Sequence, residues 1–387
     1  MRGTRIRRTV LASLAATALL GTAACGGSSS GSGGGDGGVA DEIKVVAVRD
    51  HTGPVAYAGL GGAKGTELAV EEINSSGFLG DGVKLVVDEV DSAGEIERAS
   101  SEMTKAMSDR DVMAILGPTQ GAQAASVAPL VERQKVPTIF TQSGSEGVVI
   151  GDWTFRATAP MQSYYDIAMK KLADDGVKKV SVLYNATFAT FAELGEDVVP
   201  ELAEENGIEI VSSDSVQSTT QDFTGQTQSI AKSDPDAVVM LLIAPQSVTA
   251  LGQLRQAGYD KQVMATSVQA AGNVSAAGAA ANGLMYPVDY STAMDHPEAQ
   301  AFATAFQEKF GEEPDPYAAE GYDGTWWLAR AIKASGDSSR EGIQEGLTQV
   351  AEEGFTGAMG DITFEGNDMR VTGVVVQWDG TTESLTD

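Results

Sequence analysis

Hydrolysis or group transfer would require a nucleophile, a base and a group to orient the base. Metal chemistry would require clustered cysteine, histidine or carboxylate ligands. The chain offers one cysteine, Cys25, and two histidines, His51 and His296. One cysteine permits no intrachain disulfide and no thiolate cage, and two histidines leave little for a zinc site. From residue 42 onward there is no G-x-S-x-G elbow, no H-E-x-x-H and no EF-hand loop. A Ser–His site built on His51 would lack a recognisable partner motif. His296 precedes Pro297 at a helix start and reads as a surface residue. No metal or cofactor is expected, and no enzymatic activity is expected.

The wider composition agrees. The chain has 387 residues, 26 basic against 54 acidic, for a formal charge of −28. Such acidity disfavours a phosphate backbone and an anionic membrane surface as partners, so no nucleic acid is expected. Hydrophobic residues make up 42% and charged ones 21%, which is enough to bury a real core. The length suits two domains.

Arg2, Arg5, Arg7 and Arg8 precede an apolar stretch from Val10 to Gly21, followed by Thr22-Ala23-Ala24-Cys25. The apolar stretch is too short to span a bilayer, for which about 20 apolar residues are needed. Residues 1–24 resemble a lipoprotein signal peptide, with Cys25 as the lipidated first residue of the mature chain. Leu20 and Thr22 depart slightly from the usual residue order before the cysteine, and Arg7-Arg8 also admits a twin-arginine reading. Removing residues 1–24 leaves 22 basic and 54 acidic residues, a formal −32. Residues 25–41 are rich in Gly and Ser and are predicted to be a tether. The expected location is extracytoplasmic, lipid-anchored to the cell membrane.

From Ile43 the pattern alternates short Val/Ile/Leu-rich runs with helical periods. Four strand candidates precede residue 150 and four follow it. This predicts an α/β fold of two Rossmann-like lobes with parallel sheets, joined by a three-strand hinge. The expected boundaries are 42–158 plus 288–352 for lobe 1 and 159–287 plus 353–387 for lobe 2. Crossings are expected near Ala157–Pro160, Leu284–Val288 and Ala351–Phe355. Phe355–Phe364 and Val371–Trp378 read as an antiparallel pair. Trp326 and Trp327, at helical spacing with Leu328, Ala331 and Ile332, read as core. Ligands in open α/β sheets sit beyond the carboxyl ends of the strands, which here would line a cleft between lobes.

Five segments in order carry a family resemblance: IKVVAVRDHTGPVAYAGLGGAKGTELAVEEIN, VVDEVDSAG, AILGPTQGAQAASVAPLVERQKVPTIF, AAEGYDGTWWLARAIKASG and FTGAMGDITFEGNDMR with VVVQWDG. Together they resemble the type I periplasmic binding proteins of the branched-chain amino-acid (Leu/Ile/Val) transporter family, over about residues 43–380. The resemblance implies a monomer that captures a small polar solute (an amino acid, an amide or an organic acid) by lobe closure. It further implies delivery to an ABC permease with a cytoplasmic ATPase. No G-x-x-x-x-G-K-[ST] occurs in this chain, so the ATPase would be a separate subunit. A ligand-sensing envelope lipoprotein that signals without transport is the alternative on the same fold.

The resemblance also implies a ligand site. Tyr57, behind Gly53-Pro54, would cover an apolar part of the ligand. Thr119, Gln120 and Gly121 would offer hydroxyl, amide and backbone N–H at a helix N-terminus, with Thr119 also readable as the helix cap. Relatives often carry serine where this chain has Gly121. Ser143, Gly144 and Ser145 form a polar loop after Thr138–Thr141. Phe191, with Phe188 competing, would face them from the second lobe. Ser267 and Gln269 stand where amino-acid binders often place an acid for the ligand ammonium. Asp50 and Asp323 are other acids, Asp323 reading as a fold residue. A buried ammonium without counter-charge is costly, so a neutral or anionic solute is expected.

Overall fold

The computed structural model describes residues 38–386. The expected signal peptide, Cys25 and the tether up to residue 37 lie outside the described residues. The last tether residues are held by the body: Ala40 N donates to Ser338 Oγ at 2.9 Å, and Gly38 O accepts from Ser338 N at 3.2 Å. Residues 38–41, counted within the expected tether 25–41, thus lie against the body.

The first lobe begins with β1 (Glu42–Arg49), α1 (Ala56–Ser76), β2 (Lys84–Asp91), α2 (Ile96–Ser108), β3 (Val112–Leu116), α3 (Gly121–Gln134), β4 (Thr138–Phe140) and β5 (Thr154–Arg156). The chain crosses at 157–160 into α4 (Met161–Asp174), β6 (Lys179–Asn185), α5 (Ala189–Glu193), α6 (Val199–Glu205) and β7 (Glu209–Val216). There follow α7 (Thr224–Ser233), β8 (Ala237–Leu241), α8 (Ala244–Gln256), β9 (Gln262–Met264) and β10 (Met285–Val288). Residues 289–296 return to α9 (Pro297–Phe310), α10 (Pro316–Ser335) and α11 (Arg340–Glu353), then β11 (Phe355–Gly357), β12 (Gly360–Glu365) and β13 (Asp368–Arg370). A last crossing at 371–373 leads to β14 (Val374–Trp378) and β15 (Glu383–Leu385).

Two sheets result, ordered β11-β12-β13-β5-β4-β3-β1-β2 and β15-β14-β10-β9-β8-β6-β7. Their inner strands are parallel, with Val45 beside Val87 and Ala47 beside Leu116 in one sheet, and Val182 beside Val239 in the other. The apolar runs that suggested two-sided burial are buried: Val45, Ala47 and Val48 are inaccessible, as is all of β8.

The C-terminal strands correct the expected boundaries. β12 and β13 form a hairpin around Gly366-Asn367, and β13 joins β5 at Asp368–Arg156. Residues 355–370 therefore belong to the first lobe, and the third crossing falls at 371–373, well after Ala351–Phe355. Val374–Trp378 pairs with β10 and β15, not with the 355–364 segment. The Arg156–Asp368 ion pair gives the physical reason. Arg156 is buried and engages both carboxylate oxygens of Asp368 at 2.5 Å each, which ties β13 to β5. Likewise Leu284–Val288 is not a crossing but largely β10 itself.

Two contacts position the site-bearing helices. α1 and α10 touch through backbone: a Cβ on Gly65 would lie 1.8 Å from Ala318 O, and one on Gly321 would lie 2.2 Å from Gly62 O. Glycine costs an isolated helix about 1 kcal/mol relative to alanine, but here it allows the approach that sets α1 over the sheet. Trp327 is fully buried, edge-on to Phe155 at 5.6 Å, and donates Nε1–H to Leu347 O at 3.2 Å. Trp326 is half-buried and packs edge-on against Phe78 at 5.1 Å.

Candidate functional site

Asp50, just past β1, gathers three loops of the first lobe. It is fully buried and accepts from Ser92 Oγ at 2.5 Å, Gly94 N at 3.0 Å, Gln123 Nε2 at 2.9 Å and Gln120 Nε2 at 2.6 Å. Its own N–H donates to Thr119 Oγ1 at 3.1 Å. The loops after β1, β2 and β3 are thereby fixed to one carboxylate. Glycine is required at Gly117, where φ is +94° and a Cβ would lie 2.1 Å from Val48 O.

The loop after β4 is pinned from behind. Arg156 Nη1 donates to Ser145 O at 2.5 Å and Ser143 O at 3.4 Å. Ser143 Oγ donates to Pro118 O at 3.0 Å, which joins this loop to the one after β3. The buried ion pair with Asp368 thus does two things, closing the sheet and holding the polar loop at its end.

These loops face the second lobe across a cleft of about 340 Å³. Tyr57, Thr119, Gln120, Gly121 and Gly144 line it from lobe 1, and Phe191 from lobe 2. Tyr57 sits in the first turn of α1, not in a loop. Its hydroxyl is buried with no partner, and burial pushes the phenol up, so it remains a donor at any physiological pH. It packs on Tyr317 with ring centroids 5.7 Å apart. Phe188 and Phe191 both line the cleft, 6.0 Å apart, so neither displaces the other.

Several expected contacts are spent inside the protein. Ser143 is fully buried and braces the loop junction. Ser145 hydrogen-bonds Thr190 Oγ1 and does not line the cleft. Gln120 reaches the cleft, but its amide nitrogen serves Asp50. Thr119 is not the cap of α3; that position is Gln120. Ser267 and Gln269 lie in a short 3₁₀ turn that presents Val268, not them, to the cleft. Gln269 Nε2 turns inward, to Leu242 O at 3.2 Å and Ser247 Oγ at 3.0 Å. His51 points to Glu89, 3.2 Å away, and is not among the lining residues. Asp323 is buried and accepts from Ala358 N and Met359 N at 2.9 Å each, a fold role.

Sequence reasoning missed Gln142, Thr190, Tyr317 and Val268. Gln142 is adjacent to the expected serines, and its buried Nε2 has no partner. Tyr317 lies 260 residues beyond Tyr57 and reaches the cleft only because α10 packs on α1. Its sequence neighbourhood reads as an ordinary Pro-started helix. No described lining residue is an Asp, Glu, Lys, Arg or His.

The family described as periplasmic binding protein matches residues 42–382. The Leu/Ile/Val-binding protein homolog 7 of Brucella abortus (strain 2308) is 25% identical over 365 residues, covering 87% of this chain and 89% of that one. The leucine-binding protein LivK of Thermotoga maritima superposes with a TM-score of 0.80 at 25% identity, covering 89% of this chain and 98% of that one. An ABC-transporter solute-binding protein of R. palustris in complex with benzoate also gives 0.80, at 19% identity, covering 89% and 95%. Fold and family are those of solute-binding proteins, not enzymes, and among the described residues no helix is long and apolar enough to cross a membrane.

Proposed function

The chain belongs to the periplasmic binding protein family, and on that footing we propose that it is the solute-capturing lipoprotein of an ABC importer. Its partners would be a membrane permease and a cytoplasmic ATPase, and Cys25 would carry the lipid. The observation that carries the reading is a solvent-reachable cleft walled by residues of both lobes at the strand ends. A ligand seated there gains contacts from both lobes only when they are closed, so its binding energy shifts the open–closed equilibrium. Proteins of this fold include one described as leucine-binding and one complexed with benzoate. The fold therefore leaves the ligand open, and the lining residues must choose it. The absence of a carboxylate among them supports a solute without an ammonium group.

The test is thermal stability against a panel of amino acids, amides, polyamines and organic acids. A ligand at 100 times its dissociation constant should stabilise the protein by about 2.7 kcal/mol. Uptake of the stabilising solute should then vanish when the permease gene is deleted. Unchanged uptake would sink the importer reading and favour a sensor. No stabilisation by any solute would count against solute capture itself.

A further inference from the structure

We propose that Asp289 and Glu320 share one proton across the hinge, and that this proton holds the lobes in the arrangement that brings Ser145 onto Thr190. Loss of the proton at higher pH opens the cleft. The proposal needs only the two-lobe fold and goes beyond the solute-binding reading, which stands whatever the outcome.

The geometry of the pair carries it. Both side chains are buried, Asp289 at 1% and Glu320 at 5% exposure, and the two carboxyls hydrogen-bond each other. Two ionised carboxylates cannot form such a bond, because neither has a hydrogen to donate; one of them must hold a proton. The remaining contacts decide which. Asp289 accepts from the Tyr164 hydroxyl at 3.0 Å and from the backbone N–H groups of residues 289 and 290. Glu320 accepts from Thr158 Oγ1 at 2.7 Å, while its Oε2 receives no donor. Asp289 is therefore the acceptor, and Glu320 carries the proton.

The pair also spans the joint. Asp289 directly follows β10 and is held by Tyr164 of α4, both lobe 2 elements. Glu320 lies on α10 of lobe 1 and is held by Thr158 of the first crossing. Tyr164 reaches the third crossing as well, where a Cβ on Gly373 would lie 3.5 Å from its ring. A rotation that opens the cleft moves α10 relative to α4 and stretches the bond between the two carboxyls. With the proton in place, the bond resists opening. Without it, two like charges repel in a space closed to water, and opening separates and hydrates them. No cation stands ready to neutralise them. The titratable groups acting on the pair are Tyr164 of α4 and, from α10 and its cap, Asp315, Tyr317 and Asp323. Burial raises both carboxyls above the ordinary carboxylate range, and repulsion by Asp289 raises Glu320 further, which moves proton loss towards neutral pH and above.

Energy transfer between two dyes reads the opening without any ligand. Cys25 is the only cysteine of the chain. The chain carrying C25S, E97C and T219C therefore takes one label on each rim, at exposed positions next to the cleft residues Ile96 and Ser218. If the closed arrangement holds the proton tenfold more tightly than the open one, the open-to-closed ratio rises about tenfold over the titration. Transfer should thus fall reversibly as pH rises from about 6 to 9. E320Q, whose amide N–H donates to Asp289 at every pH, should hold the pH 6 value throughout. D289N keeps one acid but removes the repulsion; it should lose most of the change, and it decides the matter if E320Q does not fold. A flat wild-type profile through pH 9 would overturn the proposal. So would a wild-type response retained in E320Q, or in D289N where E320Q does not fold.

Discussion

Ser145 of the first lobe and Thr190 of the second share a hydrogen bond of 2.5 Å, 45 residues apart in sequence and on opposite sides of the cleft. Beside it, Glu146 N donates to Glu193 Oε2 at 3.4 Å. Val55, Ala58 and Tyr317 of lobe 1 also lie in one apolar cluster with Phe191 and Val268 of lobe 2. The lobes therefore meet through a polar latch and an apolar seam. Ser145, a candidate ligand residue, is engaged with Thr190 of the second lobe.

If that latch forms only on closure, its energy adds to apparent affinity. A neutral hydrogen bond contributes about 0.5–1.5 kcal/mol net, which corresponds to roughly 2- to 12-fold in affinity. T190V, which keeps shape and removes the hydroxyl, should weaken ligand binding by that factor with little change in melting temperature of the unliganded protein. Isothermal titration of both proteins with the same solute checks this, and equal affinities would show that the latch is indifferent to closure.

Gly121 leaves no room for a side chain beside Ser145. A Cβ at this position would lie 2.0 Å from Ser145 Oγ and 2.7 Å from Ser145 Cβ. G121S should therefore displace the 142–145 loop and weaken binding at least tenfold. The double variant G121S/S145G restores the space and should recover most of the affinity. No recovery would mean that Gly121 matters for the ligand's own approach and not for the neighbouring serine.

A buried acid pair sits where the lobes join. Glu320 on α10 accepts from Thr158 Oγ1 at 2.7 Å, and Asp289 accepts from Tyr164 hydroxyl at 3.0 Å. Thr158 and Asp289 belong to two of the three crossings. Burial holds both carboxyls well above the ordinary carboxylate range, and mutual repulsion raises Glu320 further. The other titratable groups acting on them, Tyr164, Tyr317, Asp315 and Asp323, supply no positive charge. A carboxyl with a raised folded-state pKa keeps its proton better in the native state. Its contribution to stability is greatest near pH 4 and is lost as pH rises through the folded value. Melting temperature should thus fall between pH 5 and pH 8. E320Q should flatten that slope and raise the value at pH 8 by a few degrees, since a tenfold difference in proton affinity between the folded and unfolded chain corresponds to about 1.4 kcal/mol. A wild-type slope retained in E320Q would remove the pair from the account.

The contact between α1 and α10 leaves no room for a side chain. G65A would push a methyl into Ala318 O, which a Cβ would meet at 1.8 Å. Overpacking of this kind costs about 1–3 kcal/mol even after relaxation, against a gain in helix propensity of about 1 kcal/mol. Chemical denaturation should show net destabilisation, with the same sign for G321A, whose Cβ would meet Gly62 O at 2.2 Å. Tyr57 and Tyr317 ride on these two helices, so ligand affinity should fall as well.

Much of this protein was legible in its sequence because the signals are local. Strand and helix alternate with their own hydrophobic periods, and the Gly-Pro turns at Gly53 and Gly117 mark where strands end and the cleft begins. Types and order of residues alone thus identified two parallel α/β lobes, the loops at their strand ends, and Phe191 opposite them. What the tertiary structure decided concerns competition for partners, which no spacing encodes. Asp50 is a carboxylate in a cleft loop by sequence. Only folding brings Ser92, Gln120 and Gln123 onto it and removes it as a ligand acid. Gln142 and Gln269 are both loop amides. Gln142 lines the cleft while its amide nitrogen is buried without a partner, and Gln269 turns its amide into lobe 2, because a 3₁₀ turn rotates successive side chains by about a third of a turn and presents Val268 instead. The third crossing moved to 371–373 because Asp368 finds buried Arg156, 212 residues earlier. Such long-range pairings depend on which groups lose water together, and that is settled only when the whole chain has packed.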